Sequence, residues 1–150
     1  MTMNENVIDA RKRKLLIDLL SDVSNRFSYI RDDICVPYGL TSVQSQLIID
    51  IYNNPNKCKI TDLCKRMHKS TNVISPLVNR LIEKGYLTKE KDKSDSRVVN
   101  VKITEKSKKI IDDIVQDIND YSLPCFDGIT EEQVDIVTKY LKTILEAMNK

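Results

Sequence analysis

Between Thr61 and Ile103 the hydrophobic pattern changes its period, and that change constrains the fold more than any other feature of the chain. Leu63, Cys64 and Met67, and then Ile74, Leu77, Val78 and Leu81, recur at the three- and four-residue spacing of a helix face. From residue 98 onward, Val99, Val101 and Ile103 alternate with Val98, Asn100 and Lys102, the two-residue period of a strand. Between the two helical stripes, "HKS" (68–70) leaves room only for a tight turn. Ser70 or Thr71 is placed to cap the second helix, which runs to Lys84, and Gly85 stands where a C′ glycine ends a helix. "YLTKE" (86–90) and "VVNVKI" (98–103) flank a polar stretch and pair as a β-hairpin.

A short helix, a tight turn, a second helix and a hairpin make a winged helix-turn-helix, in which the second helix enters the DNA major groove. Helices flank this unit on both sides. Residues 6–34 carry Val7, Ile8, Leu15, Leu16, Leu19, Leu20, Val23, Phe27, Ile30 and Ile34 at helical spacing, and "VPYG" (36–39) ends that helix. Thr41, with Gln44 three residues on, forms a capping box for a helix buried through Val43, Leu47, Ile48 and Ile51. "NNPNK" (53–57) stops it, and Cys58-Lys59-Ile60 reads as extended, with the next helix from about Thr61. Thr104 caps a helix over about 105–122, and a second capping box, Thr130 with Gln133, opens the last one, about 130–149. The apolar residues of that last helix cover about half of its circumference, more than one packing partner needs. The expected fold class is mainly α with a small β-hairpin: one domain over 1–150, with the winged helix-turn-helix at about 41–103. Only 3 Gly and 4 Pro argue against an all-β chain. No apolar run is long enough to cross a bilayer and no apolar leader is present, so a cytoplasmic protein without a membrane partner is expected.

The chemistry concentrates in the same segment. The second helix begins "KSTNVIS", presenting Lys69, Ser70, Thr71, Asn72 and Ser75, with Asn79 and Arg80 further along. Hydroxyls and amides at a helix N-terminus donate to phosphates and read base edges. A net charge of +2 conceals a basic centre (Lys57 to Lys102) and an acidic flank (Asp112 to Asp135), a distribution that suits a polyanion. No nucleophile–base pair and no phosphate-binding glycine loop is apparent, so neither an enzyme nor a cofactor is expected. The four cysteines, Cys35, Cys58, Cys64 and Cys125, lack C-x-x-C spacing. Two sensing alternatives stay open: a metal held by Cys58, Cys64 and His68, or an oxidant-sensitive thiol at Cys35 or Cys125. Small buried hydrophobes are the plainer reading of Cys58 and Cys64, and no metal site is assigned.

"LVNRLIEKGYL" (77–87), "DKSDSR" (92–97) with its D-x-x-D-x-R pattern, and "VKITEKSKKI" (101–110) together resemble the multiple-antibiotic-resistance regulator (MarR) family, over residues 40 to about 111. The resemblance implies a transcriptional regulator, a repressor by expectation, that binds double-stranded DNA as a homodimer on a pseudo-palindromic operator. In the family the terminal helices, here about 6–34, 105–122 and 130–149, interlock two copies, and a small phenolic or other lipophilic effector modulates affinity. The family's minor-groove arginine corresponds to Arg97, with Asp95 steadying it and Lys91 and Lys93 beside it. Pro76 within the recognition helix resembles the family's redox-sensing branch, whose sensing cysteine lies in the first helix, whereas Cys35 stands at the far end of that helix.

Overall fold

The computed structural model describes residues 8–149. The element order is α1 (Ala10–Cys35), α2 (Ser42–Asn53), α3 (Ile60–Met67), α4 (Thr71–Glu83), β1 (Leu87–Lys91), β2 (Val99–Ile103), α5 (Glu105–Ser122) and α6 (Glu131–Met148), with short 3-10 turns at Val36–Tyr38 and Leu123–Phe126. The chain falls into two compact units, one up to Ile118 and one from Asn119.

Element boundaries follow local chemistry. Helix α1 starts later than its apolar spacing predicts, because the Asp9 carboxylate accepts from the Arg11 and Lys12 amides (2.7 and 3.3 Å) and fixes the N-cap there. Positions 6 and 7 of the expected helix lie outside the described residues. The Thr41–Gln44 and Thr130–Gln133 capping boxes form as expected. The expected extended segment at 58–60 reduces to a single bridge between Lys59 and Asn100, and α3 begins one residue early, at Ile60. Strands β1 and β2 pair antiparallel from Leu87 opposite Ile103 to Lys91 opposite Val99.

The core lies within the first unit. Leu47, Ile48 and Ile51 of α2, Leu63 of α3, Ile74, Val78 and Leu81 of α4, Leu87 and Val101 of the hairpin, and Ile111 and Ile114 of α5 are all buried in one cluster. A partly buried ion pair braces α2 against α3. The Arg66 guanidinium contacts both Asp50 carboxylate oxygens at 2.9 Å from Nε and one at 2.8 Å from Nη2, and this raises the arginine pKa.

Outside this cluster the pattern inverts. On α1, Leu15, Leu16, Ile17, Leu19 and Val23 are exposed, and α6 has no buried residue although Val137, Tyr140, Leu145 and Met148 are apolar. Tyr140 is 63% and Met148 76% exposed, far beyond scattered surface apolarity.

Candidate nucleic-acid interface

Helix α4 reaches its position through the shape of the turn before it. The Lys69 amide donates to the Cys64 carbonyl (3.1 Å) and the His68 amide to the Lys65 carbonyl (3.3 Å), the two bonds of a Schellman turn. His68 occupies the left-handed position, at φ 50, that usually falls to glycine. The main chain then turns straight into α4, whose Val73 and Ile74 amides both donate to the Ser70 carbonyl at 3.0 Å.

Burying Ile74, Val78 and Leu81 forces the opposite stripe of α4 outward. Lys69, Ser70, Thr71, Asn72, Asn79 and Arg80 are exposed and Ser75 is half-buried. Ser70 takes the N-cap position, but its side chain makes no capping hydrogen bond, so its hydroxyl is available to a ligand. Thr71 Oγ1 lies 3.7 Å from Cys64 Sγ. Pro76 sits inside the helix without breaking it; it has no N–H, so the Asn72 carbonyl lacks its usual intrahelical donor. Val73, 47% exposed beside these polar groups, offers an apolar contact suited to a thymine methyl. Its place in the exposed stripe follows from the phase of Ile74, Leu77 and Leu81, although its apolar side chain carries no sequence signal of a polar ligand.

The hairpin tip is built around a residue with no role evident from sequence. Asp92 Oδ1 accepts from the Ser94 hydroxyl (2.5 Å), the Ser94 amide (2.9 Å) and the Asp95 amide (3.3 Å), while its Oδ2 accepts from Asn100 Nδ2 at 3.1 Å. These bonds, the Ser94 hydroxyl first, hold the Asp92 pKa well below the usual carboxylate range. Asp95 Oδ1 accepts from both the Arg97 amide (3.0 Å) and the Arg97 Nε (3.2 Å), so the expected carboxylate–guanidinium contact is present. Arg97 remains 90% exposed, and Lys91 and Lys93 are exposed beside it. Glu90 pairs with Lys102 across the strands, which lowers the Glu90 pKa. The α4 set and the wing set are joined by one side-chain bond, Lys89 Nζ to Asn79 Oδ1 at 2.8 Å; Lys89 belongs to the candidate surface as well.

The sensing alternatives fare differently. Among the described residues no group of three or more His, Cys, Asp or Glu side chains is placed to hold a metal ion. The reason is local. Cys58 is buried and its thiol donates to the Asn54 carbonyl (3.0 Å), Cys64 approaches Thr71, and exposed His68 ends α3. Burial raises the Cys58 and Cys35 thiol pKa values, the opposite of what a thiolate sensor requires. Cys125 is exposed in the second unit.

The family model of the SarA/Rot transcriptional regulators matches residues 30–114, more than half of the chain and the whole of this surface. The chain belongs to the MarR/SarA family of winged-helix transcriptional regulators. YcgE of Bacillus subtilis, an HTH-type transcriptional regulator, is 28% identical to it over 101 residues, which is 67% of this chain and 66% of YcgE. Alignments to the curated relatives span 62% to 68% of their lengths. A MarR protein of Peptoclostridium difficile superposes with a TM-score of 0.83 at 23% identity, covering 99% of this chain and 94% of that one. The MepR–DNA complex of S. aureus superposes with a TM-score of 0.76 at 16% identity over 87% and 94% of the two chains. Both show the fold that this MarR/SarA-family chain adopts. The family is one of regulators rather than enzymes, and no helix among the described residues is long and apolar enough to cross a membrane.

Proposed function

We propose that the protein binds double-stranded DNA sequence-specifically as a homodimer and represses transcription by occupying its operator. The observation that carries this reading is the pairing of two surfaces. One is the outward stripe of α4, with Ser70, Thr71 and Asn72 at its N-terminus; the other is a wing tip whose Arg97 is oriented by Asp95 yet almost fully exposed. Short polar groups at a helix N-terminus suit phosphates and base edges, and a held arginine at a hairpin tip suits the minor groove. MepR, of the same fold, has been crystallised with DNA. The exposed apolar faces of α1 and α6 support a second copy as their cover, which would offer two recognition helices to half-sites roughly 34–36 Å apart. An effector is part of the same proposal. An open groove of about 340 Å³, between Ile51 and Tyr52 of α2, Pro55 and Asn56 of the loop that follows, Val101, Lys102 and Ile103 of β2 and Lys108 of α5, is the candidate site for a single-ring phenolic ligand, with the two lysines beside its hydroxyl, at the base of the wing. Such a ligand would act by favouring one wing position over another. Arg97→Ala is the test. It is expected to weaken DNA binding and to lower the slope of log affinity against log salt by about one ion. Unchanged affinity and slope would remove the wing from the interface.

A further inference from the structure

Three consecutive carbonyls just past α4 are held from one side. Lys106 Nζ donates to the Lys84 carbonyl (2.7 Å), Thr104 Oγ1 to the Gly85 carbonyl (2.7 Å), and the buried Ser107 hydroxyl to the Tyr86 carbonyl. The side chains of the same segment reach the other way. Lys84 Nζ donates to the Gly39 carbonyl (2.5 Å) and lies 3.3 Å from Gln44 Oε1, the capping-box residue of α2. The Tyr86 hydroxyl donates to the Tyr38 carbonyl at 2.6 Å. Lys106 Nζ also stands 4.3 Å from the Tyr86 ring centroid, and the Tyr38 hydroxyl donates to Asp117 of α5 at 3.4 Å.

Ending the helix does not require these contacts. The Tyr86 amide already donates to the Leu81 carbonyl (2.8 Å) and the Gly85 amide to the Ile82 carbonyl (2.9 Å), a complete Schellman turn with Gly85 at φ 78. The carbonyls of exposed Lys84 and Gly85 could be satisfied by water at little cost, and that of buried Tyr86 already accepts from the Thr104 amide at 3.2 Å. What distinguishes 84–86 is its place in the chain, as the whole covalent link between α4 and β1. Fixing these three residues therefore fixes the direction of the helix and the hairpin together, against the α1–α2 junction on one side and the start of α5 on the other.

We infer that Lys84-Gly85-Tyr86 is a positioning latch that sets the aim of α4 and the wing, and so governs sequence selectivity more than total affinity for DNA. This rests on the reading of α4 and the wing as the DNA-binding surface. Long lysine and arginine side chains follow a phosphate through small displacements, whereas a base-edge hydrogen bond from Asn72 or Thr71 is lost within a few tenths of an ångström. A loosened latch should cost base reading first.

The test uses the full chain carrying Lys84→Met with Tyr86→Phe, which removes two donors and keeps both apolar bodies. Lys84→Arg serves as the conservative variant that retains a donor. Binding is measured to the duplex that the parent protein selects and to a random-sequence duplex of equal length at the same salt. Amide hydrogen exchange is followed in parallel. The latch predicts a loss of about 10-fold or more on the selected duplex, the size of one lost base contact. It also predicts less than about a 2-fold change on random duplex, substantial recovery with Lys84→Arg, and faster exchange in β1 and β2 with α2 and α3 unchanged. Equal losses on both duplexes, no loss on either, or unchanged exchange in the hairpin would overturn it. If the parent protein selects no sequence, the DNA-binding reading fails, and the exchange comparison alone still decides whether 84–86 holds the hairpin.

Discussion

The segment from α2 to β2 and the helices α1 and α6 place their apolar residues in opposite ways. Leu47, Leu63, Ile74, Val78 and Val101 close a core with essentially no solvent contact, whereas the apolar residues of α6 are open to solvent, with only Ile144 half-buried, as are most of those on α1. The first region is complete within one chain. The second has the composition of an interior without its cover, and that contrast separates the apolar residues that close the core from those left open to solvent.

The largest effect should come from charging the open faces. Tyr140→Glu with Leu145→Glu is expected to weaken self-association by more than about 100-fold in sedimentation velocity, because a charge buried in an apolar contact costs several kcal/mol. Amide protection from α2 to β2 should survive. Loss of that protection would mean that the two regions are not separable. Leu47→Ala probes the other side of the comparison. A fully buried leucine on α2 should cost about 2–5 kcal/mol in urea unfolding at fixed protein concentration, with the denaturant slope unchanged.

A smaller, local effect is expected at the wing tip. Because the folded pKa of Asp92 is depressed, the order it contributes is present above the ordinary aspartate range and is lost only as pH falls through its own lower value. The wing should therefore stay ordered through about pH 4, where unperturbed carboxylates protonate. Carbon-13 titration of the Asp92 carboxyl should place its midpoint clearly below that, and Asp92→Ala should loosen the 92–98 loop at any pH. An ordinary midpoint would deny Asp92 its organising role.

The smallest effect concerns the turn before α4. His68→Gly relieves a non-glycine residue at positive φ and should stabilise the protein by about 0.5–1 kcal/mol while leaving DNA binding unchanged. Destabilisation would show that the imidazole makes a contact worth more than the strain.

These four sites also show what the sequence could and could not reveal. The helices, the hairpin, both capping boxes and the glycine stop at Gly85 were legible, because each is written in residues within a few positions of one another. His68 at a glycine's position was not, since nothing local distinguishes it from an ordinary turn residue. Asp92 has no role evident from sequence, because its partners Ser94, Asp95 and Asn100 converge only once the hairpin register places Asn100 opposite Glu90, within reach of the Asp92 carboxylate. The Arg66–Asp50 pair spans two helices and has no spacing to betray it. The ties between Lys84 and Gly39 and between Tyr86 and Tyr38 likewise cross the chain by more than forty positions. The polar stripe of α4 was legible in outline, but Val73 was hidden by being apolar.

Selection of bound sequences from random duplex DNA bears most directly on the central claim, that α4 and the wing of a two-copy assembly read DNA. Enrichment of two inverted half-sites whose centres lie about 10 base pairs apart is the expected result. Recovery of no preferred sequence, or of a single unpaired half-site, would contradict it.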